Sequence, residues 1–259
     1  MTVLALPGRL LLVPTPLDFG VDGNGPAPDL RDVLPMGAIR HAARLSYWAA
    51  ENAKSLRAFL KRVDAVMPLS RPLQDLQIVE LPRPPKGGRP ATAPDLAGLL
   101  APALAGHDLG LVSEAGLPAV ADPGAALVQA AHRLGVAVLP LAGPSSLLLA
   151  LAASGLNGQS FAFVGYLPTD DTGRAARIRE LEALSRRLGQ AQIAIETPYR
   201  NPALLDALLK HLQPATRLSV SCGLTLPDGW TRSDTVGGWH SRPRVLANDV
   251  PAVFALQAG

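Results

Sequence analysis

The chain is poor in cysteine and in aromatic side chains. Cys222 is the one thiol in 259 residues, which excludes an intrachain disulfide and a cysteine-based zinc centre. The histidines, His41, His107, His132, His211 and His240, stand far apart without ligand spacing, so the sequence predicts no metal. A lone thiol fits a reducing, cytoplasmic compartment. Aromatics make up 4% of the residues, too few for broad base-stacking platforms. No window reaches the ~18 apolar residues of a membrane span, and Leu147 to Ala153 falls well short. Met1 to Leu6 lacks the apolar core of a signal peptide. The expectation is a chain with no membrane partner.

The common nucleotide and nucleophile loops are also missing. No G-x-x-x-x-G-K-[ST] occurs, and no G-x-G-x-x-G follows a strand, since Gly20 to Gly25 has the wrong spacing. No G-x-S-x-G elbow occurs either. A phosphate-loop nucleotidase, a simple dinucleotide oxidoreductase and an elbow hydrolase are all disfavoured.

What is present is a core-forming composition, 48% hydrophobic and 17% charged, with length for two α/β domains. The formal charge is +3, and 20 of the 24 basic residues are arginine. The sign is spread evenly over both halves, so the charge permits nucleic-acid contact without demanding it.

Apolar runs alternate with helical periodicity along the chain. Strands are expected over Leu10–Val13, Ser46–Ala50, Leu76–Leu81, Leu109–Val112 and Val136–Leu141. Helices are expected over Asp32–Arg44, Ala53–Val63 and Pro94–Leu104, with another from about Asp122. Ser145–Ala153 reads as a buried helix. The second half continues with strands at Phe161–Val164, Gln192–Ile195 and Arg217–Cys222. A helix ends at Leu188 and Gly189, with Ile178, Leu181, Leu184 and Leu188 facing inward and Arg174, Arg177, Arg186 and Arg187 facing out. Pro202–Leu212 is a further helix. Thr231–Val236 and Pro251–Leu256 read as strands with no helix between them, which predicts a mixed second sheet. Phe19–Pro28 and Pro82–Pro90 read as surface loops, the second a basic linker, lid or phosphate contact. The resulting expectation is α/β, with an N-terminal domain over 1–142 and a C-terminal domain over 143–259.

Two consecutive strand–loop–helix units stand at the centre. The first runs through Leu111-Val-Ser-Glu-Ala-Gly-Leu-Pro-Ala-Val-Ala-Asp-Pro-Gly124, the second through Gly143-Pro-Ser-Ser146. Loops leaving parallel strands at one sheet edge are where open α/β sheets bind ligands. Small or polar residues recur at other strand ends too: Pro14-Thr15, Glu51-Asn52, Glu196-Thr197 and Cys222-Gly223. A carboxylate such as Glu114 suits an ammonium group, and the amides opening the helix at Ser145 suit a carboxylate. An amino-acid zwitterion requires both.

At these residues the chain resembles the tetrapyrrole methylase superfamily, the class III S-adenosylmethionine-dependent methyltransferases. Within it, the chain is similar to the branch of ribosomal small-subunit RNA (cytidine ribose-O) methyltransferases. The branch pattern V-P-T-P-I-G-N stands here as Val13-Pro-Thr-Pro-Leu-Asp-Phe19, and A-E-D-T-R as Ala50-Glu-Asn-Ala-Lys54. V-S-D-A-G-T-P-x-I-S-D-P-G stands as Val112 to Gly124, and P-L-P-G-P-S-A as Pro140-Leu-Ala-Gly-Pro-Ser-Ser146. S-G-L, G-F-L-P and E-S-P-H-R stand as Ser154-Gly-Leu156, Gly165-Tyr-Leu-Pro168 and Glu196-Thr-Pro-Tyr-Arg200. The chain departs from the pattern at Glu114, Leu117, Asp18-Phe19 and Asn52-Ala53-Lys54. The cofactor side is thus kept more closely than the acceptor side.

The resemblance implies two α/β domains with a cofactor cleft between them, usually in a homodimer, and S-adenosyl-L-methionine as cofactor. It implies contacts from Pro14, Glu114, Gly116, Leu117, Ser145 and Ser146, and from Glu196, Cys222, Val250 and Pro251. Glu51, Glu196 and Tyr199, at or just after strand ends, are the candidate catalytic residues. Each has a plainer role open to it: Glu51 capping the next helix, Glu196 pairing with Arg200, Tyr199 packing. The acceptor stays open between an RNA ribose hydroxyl, a small tetrapyrrole-like molecule and a protein. A cofactor-binding dimer without catalysis is the remaining alternative.

Overall fold

The computed structural model describes residues 7–18, 28–82 and 96–259. The expected loops over 19–28 and 82–90, and the start of the helix expected from Pro94, fall mostly outside these residues. The chain divides into two compact units at Pro144 and Ser145.

The first unit holds a five-stranded sheet of β1 (Arg9–Leu12), β2 (Tyr47–Ala50), β3 (Gln77–Glu80), β4 (Leu109–Val112) and β5 (Ala137–Pro140), in the order β3-β2-β4-β1-β5. Every pairing is parallel. Successive side chains of a strand point to opposite faces, and both faces here are covered. Leu11, Trp48 and Val112 join one core with Ile39, Phe59 and Leu60. Their neighbours Leu10, Ala49 and Leu111 join another with Leu100, Leu127 and Ala131. The first core packs α1 (Leu30–Val33), α2 (Met36–Arg44) and α3 (Ala53–Val66). The second packs α4 (Ala101–Leu104) and α5 (Ala125–Arg133). Strands buried on both sides explain the continuous apolar runs seen in the sequence.

The second unit holds β6 (Phe161–Tyr166), β7 (Ala191–Ile195), β8 (Arg217–Cys222), β9 (Trp230–Thr235) and β10 (Ala252–Gln257), in the order β6-β7-β10-β8-β9. β6 and β7 are parallel, while β10 runs antiparallel to β7 and β8, and β9 antiparallel to β8. This is the mixed sheet the sequence predicts. Ile193, Val253 and Ala255 pack with α6 (Ser146–Ser154) on one face. Val220, Phe254 and Leu256 pack with α7 (Asp171–Leu188), α8 (Asn201–His211) and α9 (Val236–Ser241) on the other.

Four local expectations require correction. The helix over 32–44 is two helices, because Pro35 has no amide to donate and holds Leu34 extended, at φ −122° and ψ 135°. The helix after the central loop starts at Ala125 rather than Asp122, behind Gly124 at φ 131°. A helix does separate the last two strands, since the Thr235 hydroxyl accepts from the Gly238 amide and caps α9. Leu188 is 53% exposed; the inner face of α7 keeps the expected Ile178 and Leu181, with Leu184 partly buried against the same core, and adds Ala175, Glu182 and Ser185.

Candidate active site

In the first unit the carboxyl ends of the parallel strands share one edge. Strand order sets Glu51, Ser113-Glu114, Pro14-Thr15 and Gly143 side by side there, after β2, β4, β1 and β5. The loops are tied together by backbone. Thr15 and Gly116 exchange two hydrogen bonds, of 2.9 and 3.1 Å, and Glu51 donates its amide to Val112 at 3.1 Å. Gly143 passes so close to Pro14 that a Cβ would lie 2.2 Å from the proline Cβ. Gly116 adopts φ 77°, and Ala119 and Ala121 also sit in the left-handed region, at 67° and 65°. For alanine that conformation costs about 1–2 kcal/mol per residue, so the loop after β4 holds strain.

Carboxylates dominate this edge. A Glu51 oxygen accepts the Glu114 amide at 3.1 Å, and the Ser55 hydroxyl donates to Glu114 at 2.8 Å. Glu51 does not cap α3, because the Asn52 side chain accepts from the amides of Lys54 and Ser55, at 2.9 and 3.3 Å. Burial, followed by the negative charge of Glu51, pushes the Asp122 carboxyl up to about 6. The Ser113 side chain opposes that shift and Glu114 adds to it. Among the described residues no lysine or arginine pairs with Glu114 or Asp122. The edge is therefore matched to a cation.

The second unit gathers its candidates at one edge of its own sheet, where β7 and β8 end and β10 begins. The Gly223 amide, next to Cys222, donates to Pro251 at 3.0 Å. The Asn201 side chain donates to the Val250 carbonyl at 3.0 Å. Cys222 is buried, which pushes its thiol up. Glu196 is buried as well, and its carboxylate is fully engaged: one oxygen accepts the Thr197 amide and hydroxyl, at 2.8 and 3.1 Å, and the other faces Arg200 at 3.1 Å. That pairing leaves it as a brace for the turn at Pro198–Arg200, where Tyr199 stands 70% exposed. Ser145 opens α6 in extended geometry and its hydroxyl makes no capping bond. The first-turn amides of that helix thus receive no side-chain acceptor from the cap residue.

The structure therefore brings Pro14, Glu51, Glu114, Gly116 and Leu117 to the loops of one edge, and Glu196, Tyr199, Cys222, Val250 and Pro251 to those of another. Ser145 and Ser146 start α6, which directly follows Gly143-Pro144 in the chain. Sequence reasoning passed over Asp122, Ser55 and Asn201. Asp122 was legible, since it stands in the Asp-Pro-Gly run of the central loop; Ser55 and Asn201 carry no sequence signal. Among the described residues no three His, Cys, Asp or Glu gather as they would around a metal ion.

Comparison with known proteins gives the family and the fold. The family model for Tetrapyrrole (Corrin/Porphyrin) Methylases matches residues 38–237, most of the chain. The chain belongs to the tetrapyrrole methylase family. Ribosomal RNA small subunit methyltransferase I of Halalkalibacterium halodurans is 32% identical to this methylase over 202 residues, covering 78% of this chain and 60% of the relative. Its namesake in Vibrio cholerae is 40% identical over 109 residues, covering 42% and 36%. The chain thus spans 60% or less of the length of these curated relatives. Two solved structures share the methylase fold. The methyltransferase CobJ aligns with a TM-score of 0.52 at 16% identity, covering 96% of this chain and 93% of its own. The uroporphyrin-III-C-methyltransferase of Thermus thermophilus aligns at 0.50 and 20%, covering 96% and 92%.

Proposed function

We propose that this methylase-family chain transfers the methyl group of S-adenosylmethionine to a ribose hydroxyl of small-subunit ribosomal RNA. It acts as a cytoplasmic homodimer of two-domain protomers, split as 1–142 and 143–259. The observation that carries the reading is 32% identity, over 202 residues, to a relative named for small-subunit ribosomal RNA.

S-adenosylmethionine supplies an electrophilic methyl on a positively charged sulfur. The residues present suit it: Glu114 lacks a cationic partner among the described residues and is matched to an ammonium group, and the amides at Ser145 and Ser146 are matched to a carboxylate. Pro14, Gly116 and Leu117 complete the first unit's contribution, and Glu196, Cys222, Val250 and Pro251 that of the second, partly through backbone. Holding the acceptor in line contributes much of the rate, within the ~7–11 kcal/mol ceiling of orientation effects.

A hydroxyl acceptor must also lose a proton. Glu51 and Asp122 influence one another electrostatically, and a carboxyl titrating at about 6 is ionised near neutrality yet basic enough to take that proton. Glu196, committed to Arg200 and Thr197, positions the turn from which Tyr199 contacts the acceptor.

The test is transfer from methyl-labelled cofactor into small ribosomal subunits from cells lacking this chain. Label should enter the RNA. Glu114→Ala should weaken cofactor binding by about 1.5–3 kcal/mol, roughly ten- to a hundredfold. Label confined to protein or to small molecules would refute the RNA reading, and failure to bind the cofactor would refute the whole. Light scattering should give a mass twice the protomer's 27.0 kDa.

A further inference from the structure

The second unit carries a basic ridge that methyl transfer leaves unused. β9 is the outermost strand of its sheet, and the chain turns back beside it through Arg242-Pro243-Arg244. The Arg244 guanidinium carbon lies 3.7 Å from the centroid of the Trp230 ring, and that of Arg232 lies 4.1 Å from Trp239. Trp239 is fully buried and anchored by its indole nitrogen, which donates to the Leu218 carbonyl at 2.9 Å. Arg232 staples the segment together: it donates to the carbonyls of Arg242 and Gly238 and to the Asp234 carboxylate. Arg242 reaches Asp234 at 3.3 Å with its side chain 80% exposed. Arg244 pairs with no carboxylate among the described residues. Arg232, Ser233, Asp234, Arg242, Pro243 and Arg244 line an open hollow of ≈ 410 Å³. Three guanidinium groups face one carboxylate there.

A guanidinium stacked on an indole keeps its edge donors pointing away from the ring, and the stack limits its freedom. That is an arrangement suited to the forked oxygens of a phosphate. Arg244 is stacked and pairs with no carboxylate among the described residues, Arg242 beside it holds Asp234 through one nitrogen while its side chain is otherwise exposed, and Arg232 is spent on the backbone and Asp234. The ridge is also near the candidate site, since Trp230 is the register partner of Cys222 across β8 and β9. Val245 is the one large apolar side chain exposed between 230 and 250, which argues against an apolar protein interface here.

We propose that Arg242 and Arg244 grip phosphodiester groups of the RNA substrate in this hollow. The inference rests on the RNA-methyltransferase reading above and adds to it the surface that holds the strand.

The experiment compares the full chain with the Arg242→Ala/Arg244→Ala and Arg242→Lys/Arg244→Lys variants, using small-subunit RNA from cells lacking this chain. Methyl transfer is followed over a range of salt concentrations, and fluorescence anisotropy follows binding of a labelled single-stranded RNA. The alanine pair should raise the KM for RNA about tenfold while kcat changes less than twofold. It should also flatten the dependence of log affinity on log salt by about 1.4, two contacts at about 0.7 each for a single strand. Cofactor affinity by calorimetry should not move. The lysine pair should restore the salt slope but only part of the affinity, because an ammonium lacks the fork. Wild-type KM and salt slope in the alanine pair, with RNA still methylated, would overturn the proposal and spare the functional reading. If the wild type methylates no RNA, that reading fails, and the anisotropy arm still decides the ridge. Loss of salt-dependent binding in the alanine pair supports it. Equal binding with an unchanged salt slope overturns it.

Discussion

Asp122→Asn should stabilise the protein at pH 8 and have little effect near pH 4. The Asp122 carboxyl is pushed up to about 6 by burial and by Glu51, whereas an aspartate in an unfolded chain titrates near 3.9. A carboxyl whose folded value is raised costs nothing while protonated in both states. Stability is then lost as pH rises from the unfolded value through the folded one. At about 1.36 kcal/mol for each tenfold change in acidity, the difference between the two values gives an upper bound of ~3 kcal/mol. Asp122 is only half-buried, so solvent screening reduces this to about 1.5 kcal/mol. Asparagine is neutral at all pH and close in shape, so it removes the penalty. Urea unfolding at pH 8 should show the variant more stable by about 1.5 kcal/mol, or ~3–6 °C in Tm for a chain of this size. The difference should shrink to a few tenths near pH 4. Equal stability at both pH values, or a loss at both, would refute the electrostatic account of this edge.

Two further substitutions test the packing around the site and in the second unit. Gly143→Ala would set a methyl 2.2 Å from the Pro14 Cβ, so it should cost about 1–3 kcal/mol of stability and weaken cofactor binding at least tenfold by calorimetry; unchanged affinity would detach this loop from the site. In the second unit the buried Glu182 carboxylate accepts from the Gln213 amide at 2.8 Å and from the buried Thr216 hydroxyl. Glu182→Ala strands both donors and should lower stability by about 2–3 kcal/mol in urea unfolding, whereas a loss under about 0.5 kcal/mol, the low end for a single hydrogen bond, would contradict the pairing.

Apolar runs between turn residues made the central strands of the two sheets legible, because strands covered on both faces, such as β4, β8 and β10, need little else to be recognised. Pro35 was equally visible, yet the helical pattern on either side hid the break it causes. The cap at Thr235 was the missed signal for α9, a helix whose Gly237 and Gly238 weaken the local preference. Strand ends marked the candidate edges because topology alone sets which ends lie side by side. What each carboxylate does there was not legible. Glu196 is neutralised by Arg200 four residues on, and Glu51 turns to the Glu114 amide across 63 positions. Asp122 owes its raised titration to burial and to Glu51, neither of which is a property of its neighbours in sequence.

The most direct test of the central claim is incubation of the purified chain with methyl-labelled S-adenosylmethionine and small ribosomal subunits from cells lacking it, followed by nuclease digestion of the RNA. The account predicts label on a ribose-methylated nucleoside, resistant to alkaline cleavage at that position, and absent with Glu114→Ala at limiting cofactor. Cofactor binding without any label in RNA would contradict it.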